Sequence, residues 1–181
     1  MFIALFLTFA AGFIAGYMMS PGKEEPAITP LPDKSYYAVV KGLIDRANRS
    51  VAVIMYVVKY DPNEIDDPVN TLLNALVRAK ERGLSVRIVL DDATYRSYRE
   101  TLDYLMSKGV EVALDEKAGV TTHVKMVIID EEYLVVGSHN WTESALSYNH
   151  EYSVMIRSRE MAGRALSYFN NIWVKGRKVE T

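Results

Sequence analysis

The stretch His123-Val-Lys125-Met-Val-Ile-Ile-Asp130, followed after six residues by Gly137-Ser138-His139-Asn140, decides how this chain folds and what chemistry it carries. Its pattern is H-x-K-x4-D-x6-G-S-x-N. Apolar runs flank the acidic residues 130–132. That composition predicts two strands, His123–Ile129 and Tyr133–Val136, joined by a tight turn.

The side chains of this stretch suit attack on a phosphodiester. His123 and Lys125 lie two residues apart, and side chains at that spacing on a strand share one face. An imidazole nitrogen can act as a nucleophile, and an ammonium can hold a phosphoryl oxygen. Ser138 and Asn140 return on the second segment as neutral donors for the charge that builds up. The motif occurs once, and no internal repeat is visible.

The composition predicts one globular domain, since 49% of the 181 residues are hydrophobic and 24% are charged. The formal net charge of −2 is unlike the basic balance common in proteins that bind polyanions, so any anion affinity must come from local patches. Residues 175–178 form one basic cluster, which a solvated helix end explains equally well.

The chain has no cysteine, which excludes thiol catalysis, disulfides and cysteine-based zinc sites, and we expect no metal or other cofactor.

The amino terminus predicts a membrane element. Residues 2–19 form an uncharged apolar run of 18 residues, at the lower edge of the length that spans a bilayer. A positive leading region and a clear cleavage site are both missing, which favours an uncleaved anchor; a cleaved signal and a secreted protein are the alternative. Residues 20–32 contain four prolines and predict an extended linker, so a single domain is expected over residues 33–181.

Helical and strand patterns alternate after this linker. Asp33 is positioned to cap the first of five predicted helices, and the β-branched apolar runs predict buried strands. The alternation predicts an α/β sandwich, in which helices flank both faces of a mixed β-sheet. The predicted helices span residues 33–47, 68–83, 95–107, 141–148 and 159–174, and the remaining strands span 50–58, 86–90, 110–114 and 151–156.

The segments 50–92 and 110–156 together resemble the phospholipase D superfamily. The sharpest match is the HKD signature of the opening stretch, and residues 137–151 also meet the extended form G-S-x-N-W-T-x-x-A-L-x-x-N-x-E. The resemblance covers nearly all of residues 33–175. Large members carry two HKD copies, so this chain resembles the single-motif branch of Nuc-type endonucleases and mitochondrial Zucchini-type proteins. The Zucchini-type proteins carry a cysteine-containing zinc insert that this chain lacks.

The resemblance implies a phospholipase D-like α-β-α sandwich and a homodimer whose two HKD segments form one active site. In that site His123 is expected to form a phosphohistidine, while the partner's His123 protonates the leaving oxygen. Lys125 and Asn140 would hold the phosphate, with Ser138 as a supporting donor or a plain turn residue. Glu151 would accept a hydrogen bond from His123, although a glutamate on the surface of a strand edge is the alternative.

Two further motif residues are expected to be structural. Asp130 should organise the turn after the first strand, and Gly137 should permit a close approach of two backbones. His139 and His150 are expected in surface or supporting positions.

Candidates for substrate contact lie outside the motif. Lys59, Arg96 and Arg99 follow strand ends, where loops line the site in α/β folds. Trp141 and several tyrosines, at positions 95, 98, 104 and 148, could stack on bases. Core packing or a dimer interface explains these aromatic rings as easily.

The sequence therefore favours a metal-independent phosphodiesterase, anchored in a membrane or exported. The first hypothesis is a non-specific endonuclease that cleaves DNA or RNA. The alternative is a phospholipase D or cardiolipin-type hydrolase, held at an anionic phospholipid substrate by residues 2–19. An inactive adaptor with the same fold is a third hypothesis, which the intact motif opposes.

Overall fold

A computed structural model describes residues 25–117 and 119–179 of the chain. These residues form eight strands and six helices. The strands are β1 (Ala27–Pro32), β2 (Ser50–Met55), β3 (Ser85–Leu90), β4 (Glu111–Leu114), β5 (Lys125–Ile129), β6 (Tyr133–Gly137), β7 (Tyr152–Arg157) and β8 (Arg177–Lys178). The helices are α1 (Ser35–Arg46), α2 (Pro68–Glu81), α3 (Asp92–Ser97), α4 (Arg99–Ser107), α5 (Glu143–Ser147) and α6 (Arg159–Lys175).

All eight strands belong to one mixed sheet with the order β1-β7-β6-β5-β2-β3-β4-β8. Strands β2, β3 and β4 are parallel, whereas β5 runs antiparallel to β2. Alternate residues of the central strands face two apolar clusters. Helix α6 covers one cluster, and α1, α2, α4 and α5 cover the other. The predicted sandwich with helices on both faces is confirmed.

Strand β1 corrects the predicted linker. Residues 27–32 pair antiparallel with β7, from Ala27 opposite Arg157 to Pro32 opposite Tyr152. Proline is tolerated here because β1 is an edge strand, where one side of the backbone needs no partner. The domain therefore includes residues before Asp33. The predicted membrane segment, residues 2–19, lies outside the described residues, and within the described ranges no helix is long and apolar enough to span a bilayer.

Three other predicted features also differ in the structure. Asp33 does not cap α1, because its carboxylate accepts the backbone N–H of Glu151 at 2.9 Å. The helix predicted over residues 95–107 is divided at Tyr98, where φ is −143°. The strand predicted to reach Val58 ends at Met55.

The hairpin between β5 and β6 has the predicted acidic turn. Asp130 and Glu131 have φ values of 55° and 56°, the left-handed geometry of a type I′ turn. The Asp130 carboxylate accepts the backbone N–H groups of Asn48, Arg49 and Ser50 at 2.8 to 3.0 Å. Asp130 therefore ties the hairpin to the start of β2, at the opposite end of β5 from Lys125.

Buried carboxylates hold the segment that leads into β5. Asp91 accepts the backbone N–H of Thr122 at 2.7 Å, immediately before His123. The neighbouring Asp115 is completely buried and accepts the N–H of Asp92 at 3.0 Å, while its other oxygen has no partner among the described residues. Burial raises the pKa of Asp115; the Asp91 carboxylate also raises it, against hydrogen bonds from Thr122 and Asp92. A proton on Asp115 would remove its charge repulsion with Asp91 and would allow the unpaired oxygen to donate a hydrogen bond.

Gly137 lies at a close approach of β6 to β7. A Cβ at this position would collide with the backbone and Oγ of Ser153 and with the carbonyl of Tyr152. We predict that Gly137→Ala lowers the free energy of unfolding by about 1–3 kcal/mol, measured by urea denaturation. Gly163→Ala is the matched control, because that helical position has no atom within 4 Å of the added Cβ. Equal stability of the two variants would contradict the close approach.

Asp115 provides a prediction about pH. Its folded-state pKa is raised, so the folded chain binds more protons than the unfolded chain above about pH 4. Stability contributed by the protonated carboxyl is therefore lost as the pH rises through the raised pKa. In Asp115→Asn the amide replaces the protonated carboxyl, so the urea midpoint should fall less than that of the wild type between pH 4 and pH 8. Identical slopes would show that Asp115 titrates normally.

Candidate active site

The motif residues converge at one edge of the sheet. Lys125, at the start of β5, pairs with Met55, at the end of β2. The carboxyl ends of β3 and β4 reach the same edge because both strands run parallel to β2. The end of β6 and the start of β7 complete this edge, since Gly137 pairs with Ser153. Antiparallel pairing of β5 thus places the motif where the loops of the parallel strands meet.

His123 and Lys125 form a contacting pair, as their spacing predicted. The Lys125 Nζ lies 3.1 Å from each ring nitrogen of His123 and donates to the His123 carbonyl at 3.2 Å. The His123 side chain is exposed at this edge, whereas Lys125 is 7% exposed. The site therefore presents a possible nucleophile beside a shielded cation.

Tyr56 contacts both members of this pair and was not among the predicted residues. Its ring centroid lies 4.4 Å from that of His123 and 4.9 Å from the Lys125 Nζ. The feature of the sequence that could have identified Tyr56 is its position, one residue beyond the end of β2. The ring can orient the imidazole and stabilise the ammonium through its negative face.

The surroundings of Lys125 shift the pKa of its side chain in opposite directions. Burial lowers the pKa of Lys125, whereas the carboxylates of Glu151 and Asp91 raise it. A cation shielded from water interacts more strongly with a phosphoryl oxygen than an exposed one does. Lys125 is therefore better suited to bind a substrate anion than to stabilise the surface.

Glu151 is at the site, but its hydrogen bonds differ from those expected. Its carboxylate accepts from the hydroxyl of Ser138 and, at 3.1 Å, from the side-chain amide of Asn149. Within the described ranges it makes no hydrogen bond to His123, so that expected contact is not found. The β6–β7 pairing explains the difference, because it places Ser138 directly beside the start of β7. Ser138 also accepts the N–H of Tyr152 at 3.0 Å.

Asn140 has unused hydrogen-bonding capacity. Its side-chain oxygen is buried and has no partner among the residues that the structure describes. An unpaired buried polar atom costs free energy. Because this oxygen is an acceptor, a donor from a second chain could satisfy it, whereas a phosphate oxygen would have to be bound by the N–H groups of the same amide.

His139 has a supporting position. It is completely buried, stacks on Tyr36 with 4.3 Å between ring centroids, and contacts the Ser153 hydroxyl at 2.7 Å and the Asp33 carbonyl at 3.0 Å. Burial lowers the pKa of His139, which favours the neutral ring. His150 is fully exposed, with its ring 3.6 Å from the Asp33 carboxylate.

The structure does not support base stacking by Trp141. This side chain is completely buried and donates to the Tyr36 hydroxyl at 3.0 Å, so the substrate-binding prediction for Trp141 is wrong. Arg96 pairs with Asp92 at 3.4 Å and Arg99 with Asp103 at 3.3 Å. Lys59 has no side-chain partner in the described part of the chain, and substrate contact by Lys59, Arg96 and Arg99 stays a prediction.

One group of carboxylates has the spacing of a metal site. Among the described residues, ligand atoms of Glu64, Asp67 and Glu143 lie within 4.8 Å of one another. The Asp67 carboxylate already caps α2, since it accepts the N–H groups of Val69 and Asn70. The group includes no motif residue.

A cleft of about 580 Å³ opens beside His123. Residues 120–124 form one wall, and one face of the second half of α6 forms the other. Of the described motif residues, His123 lines the cleft, whereas Lys125, Asn140 and Glu151 do not.

Comparisons with known proteins identify the family of this chain. Residues 40–173 match the family described as cardiolipin synthase, PLD-like domain. A phospholipase D of Rickettsia felis is 32% identical over 128 residues, which cover 71% of this chain and 58% of that protein. The human mitochondrial cardiolipin hydrolase is 31% identical over 93 residues, which cover 51% and 36%. The chain spans about half the length of the curated relatives it matches.

A solved structure extends the similarity to the whole fold. Nuc from Salmonella typhimurium, a phospholipase D family member, superposes with a TM-score of 0.74 at 26% identity. The match covers 87% of this chain and 100% of that one. Because the family match extends over most of the sequence, this chain belongs to the phospholipase D superfamily.

Proposed function

We propose that this protein hydrolyses phosphodiester bonds and that its substrate is nucleic acid, cleaved through a phosphohistidine on His123. The observation that carries the proposal is the exposed His123 imidazole, 3.1 Å from the shielded ammonium of Lys125. Such a pair can attack phosphorus and hold the oxygen on which negative charge develops. The mechanism needs no metal.

The reaction has two displacements at phosphorus. In the first, a neutral ring nitrogen of His123 forms a P–N bond while the P–O bond to the leaving group breaks. The leaving oxygen takes a proton from an imidazolium. In the second, water attacks phosphorus, its proton returns to that imidazole, and the P–N bond breaks. Lys125 binds a non-bridging oxygen in both steps, and Asn140 assists.

We propose that the imidazolium is the partner's His123 in a homodimer. The described edge presents one exposed motif histidine, and the buried His139 is engaged by Ser153 and Asp33. The reaction needs a nucleophile and an acid, so His123 of one chain would serve as the nucleophile and His123 of the other chain as the acid. Adjacent imidazoles suit this division, because protonation of one opposes protonation of the other. The Asn140 oxygen, which has no partner among the described residues, also supports an incomplete single-chain site.

Two observations support nucleic acid as the substrate. The chain covers the full length of Nuc, and the single-motif branch that this sequence resembles includes the Nuc-type endonucleases. The cleft beside His123 also carries polar groups along its length.

Phospholipid is the second candidate substrate. It is favoured by similarity to proteins named phospholipase D and mitochondrial cardiolipin hydrolase, and by the predicted membrane segment at residues 2–19. We propose that this segment is an anchor. Nucleic acid and phospholipid would be cleaved by the same chemistry, but they differ in the part of the substrate that the cleft must bind.

The role of His123 can be tested with the full chain in detergent, because a fragment starting at residue 33 would lack β1. Plasmid, single-stranded DNA, RNA and cardiolipin liposomes are incubated with the protein in EDTA. We predict cleavage of nucleic acid that falls at least about 10³-fold in His123→Ala, since the nucleophile is removed. His150→Ala is the matched control, because this histidine is fully exposed. Turnover of lipid alone would contradict the substrate, and activity that appears only when EDTA is left out would contradict the metal-free mechanism.

Mixed dimers test the shared site. Wild-type and His123→Ala chains are unfolded together, refolded at equal amounts and assayed. If each site needs two intact copies, only about one quarter of randomly paired dimers are active. Activity should therefore follow the square of the wild-type fraction. A linear dependence would show that each chain carries a complete site.

A further inference from the structure

The helical wall of the cleft beside His123 carries groups that the proposed chemistry does not use. Tyr168, Asn171, Ile172 and Lys175 line this wall. Their spacing of three or four residues places them on one face of α6. From Tyr168 to Lys175 this face extends about 10 Å along the helix axis, so it can accommodate more of a ligand than the reacting phosphate.

The polar groups on this wall have no partner among the described residues. In the described ranges, the hydroxyl of Tyr168, the amide of Asn171 and the ammonium of Lys175 make no hydrogen bond or ion pair within the chain. Tyr168 is 50% exposed, and Lys175 is also exposed. By contrast, Arg164 on the same helix pairs with Glu160 at 2.9 Å. The free groups face the cleft rather than neighbouring residues.

The two walls also contribute apolar surface to the cleft. Val124 from one wall and Ile172 from the other both pack against the buried cluster beneath α6. A flat ring, an amide and a cation beside this apolar surface match the parts of a nucleotide. A base can stack on an aromatic ring, and a phosphate can pair with an ammonium.

An acyl chain fits this lining less well. A buried acyl chain requires a continuous apolar surface, but here Lys175 and Glu116 place charges in the cleft. The lining therefore favours a nucleotide over the tail of a lipid.

We propose that this cleft binds the nucleotide next to the scissile phosphodiester, with its base on the Tyr168 ring and its outer phosphate at Lys175. The inference rests on the proposed nuclease function and deepens it. A base in a duplex is already stacked and paired, and freeing it costs free energy. The cleft therefore gives the enzyme a preference for single strands.

The test compares a polymer with a substrate too small to reach the wall. The full chain is assayed on a fluorescent single-stranded oligonucleotide, the matching duplex, and bis(p-nitrophenyl) phosphate. We predict that Tyr168→Ala raises KM for the single strand about tenfold with little change in kcat, because stacking is lost. Tyr168→Trp should restore KM. Lys175→Gln should raise KM and flatten its dependence on salt, because one phosphate contact is removed.

Two controls separate local from general effects. Neither Tyr168→Ala nor Lys175→Gln should change turnover of the small diester, and Lys108→Gln, at an exposed lysine outside the cleft, should change nothing. Unchanged KM for the oligonucleotide in both variants would overturn the inference, as would equal loss on the small diester or an effect on liposome turnover alone. If the wild type hydrolyses no diester at all, the proposed function itself fails.

Discussion

The antiparallel pairing of β5 with β2 is the constraint on which the site depends. Three parallel strands bring their carboxyl ends to one edge of the sheet, and the reversed β5 brings its amino end to that edge. Lys125 is therefore beside Met55, with His123 just outside the sheet. At the opposite end Asp130 accepts three backbone N–H groups and fixes the hairpin in register. A slip of one residue would turn Lys125 to the other face of the sheet.

Much of this arrangement could be predicted from local sequence. Two-residue spacing placed His123 and Lys125 together, and the acidic turn and the central strands were evident from their composition. The errors concern contacts between distant segments. Whether Pro30 joins a sheet depends on β7, some 120 residues later, and the burial of Trp141 depends on Tyr36. The partner of Glu151 depends on the β6–β7 register. Local propensity contains none of this information.

The chemistry that we propose depends on the different surroundings of Lys125 and His123. Lys125 is shielded and flanked by Glu151 and Asp91, whereas His123 is exposed on a segment that Asp91 holds through Thr122. The same buried acidic group therefore positions the nucleophile and supports the charge of the cation. Within the described residues, one chain supplies one such pair, and the Asn140 side-chain oxygen has no partner. Both features are accounted for if two chains share each catalytic cycle.

The stoichiometry of the covalent intermediate tests this division of labour most directly. The full chain is mixed with an excess of substrate radiolabelled at its phosphorus, quenched in base during turnover, and digested for mass analysis. Because one histidine of each pair attacks while the other protonates the leaving group, we predict labelling of His123 at no more than about half of the chains. Labelling that approaches one phosphoryl group per chain, or label on a residue other than His123, would contradict the shared site.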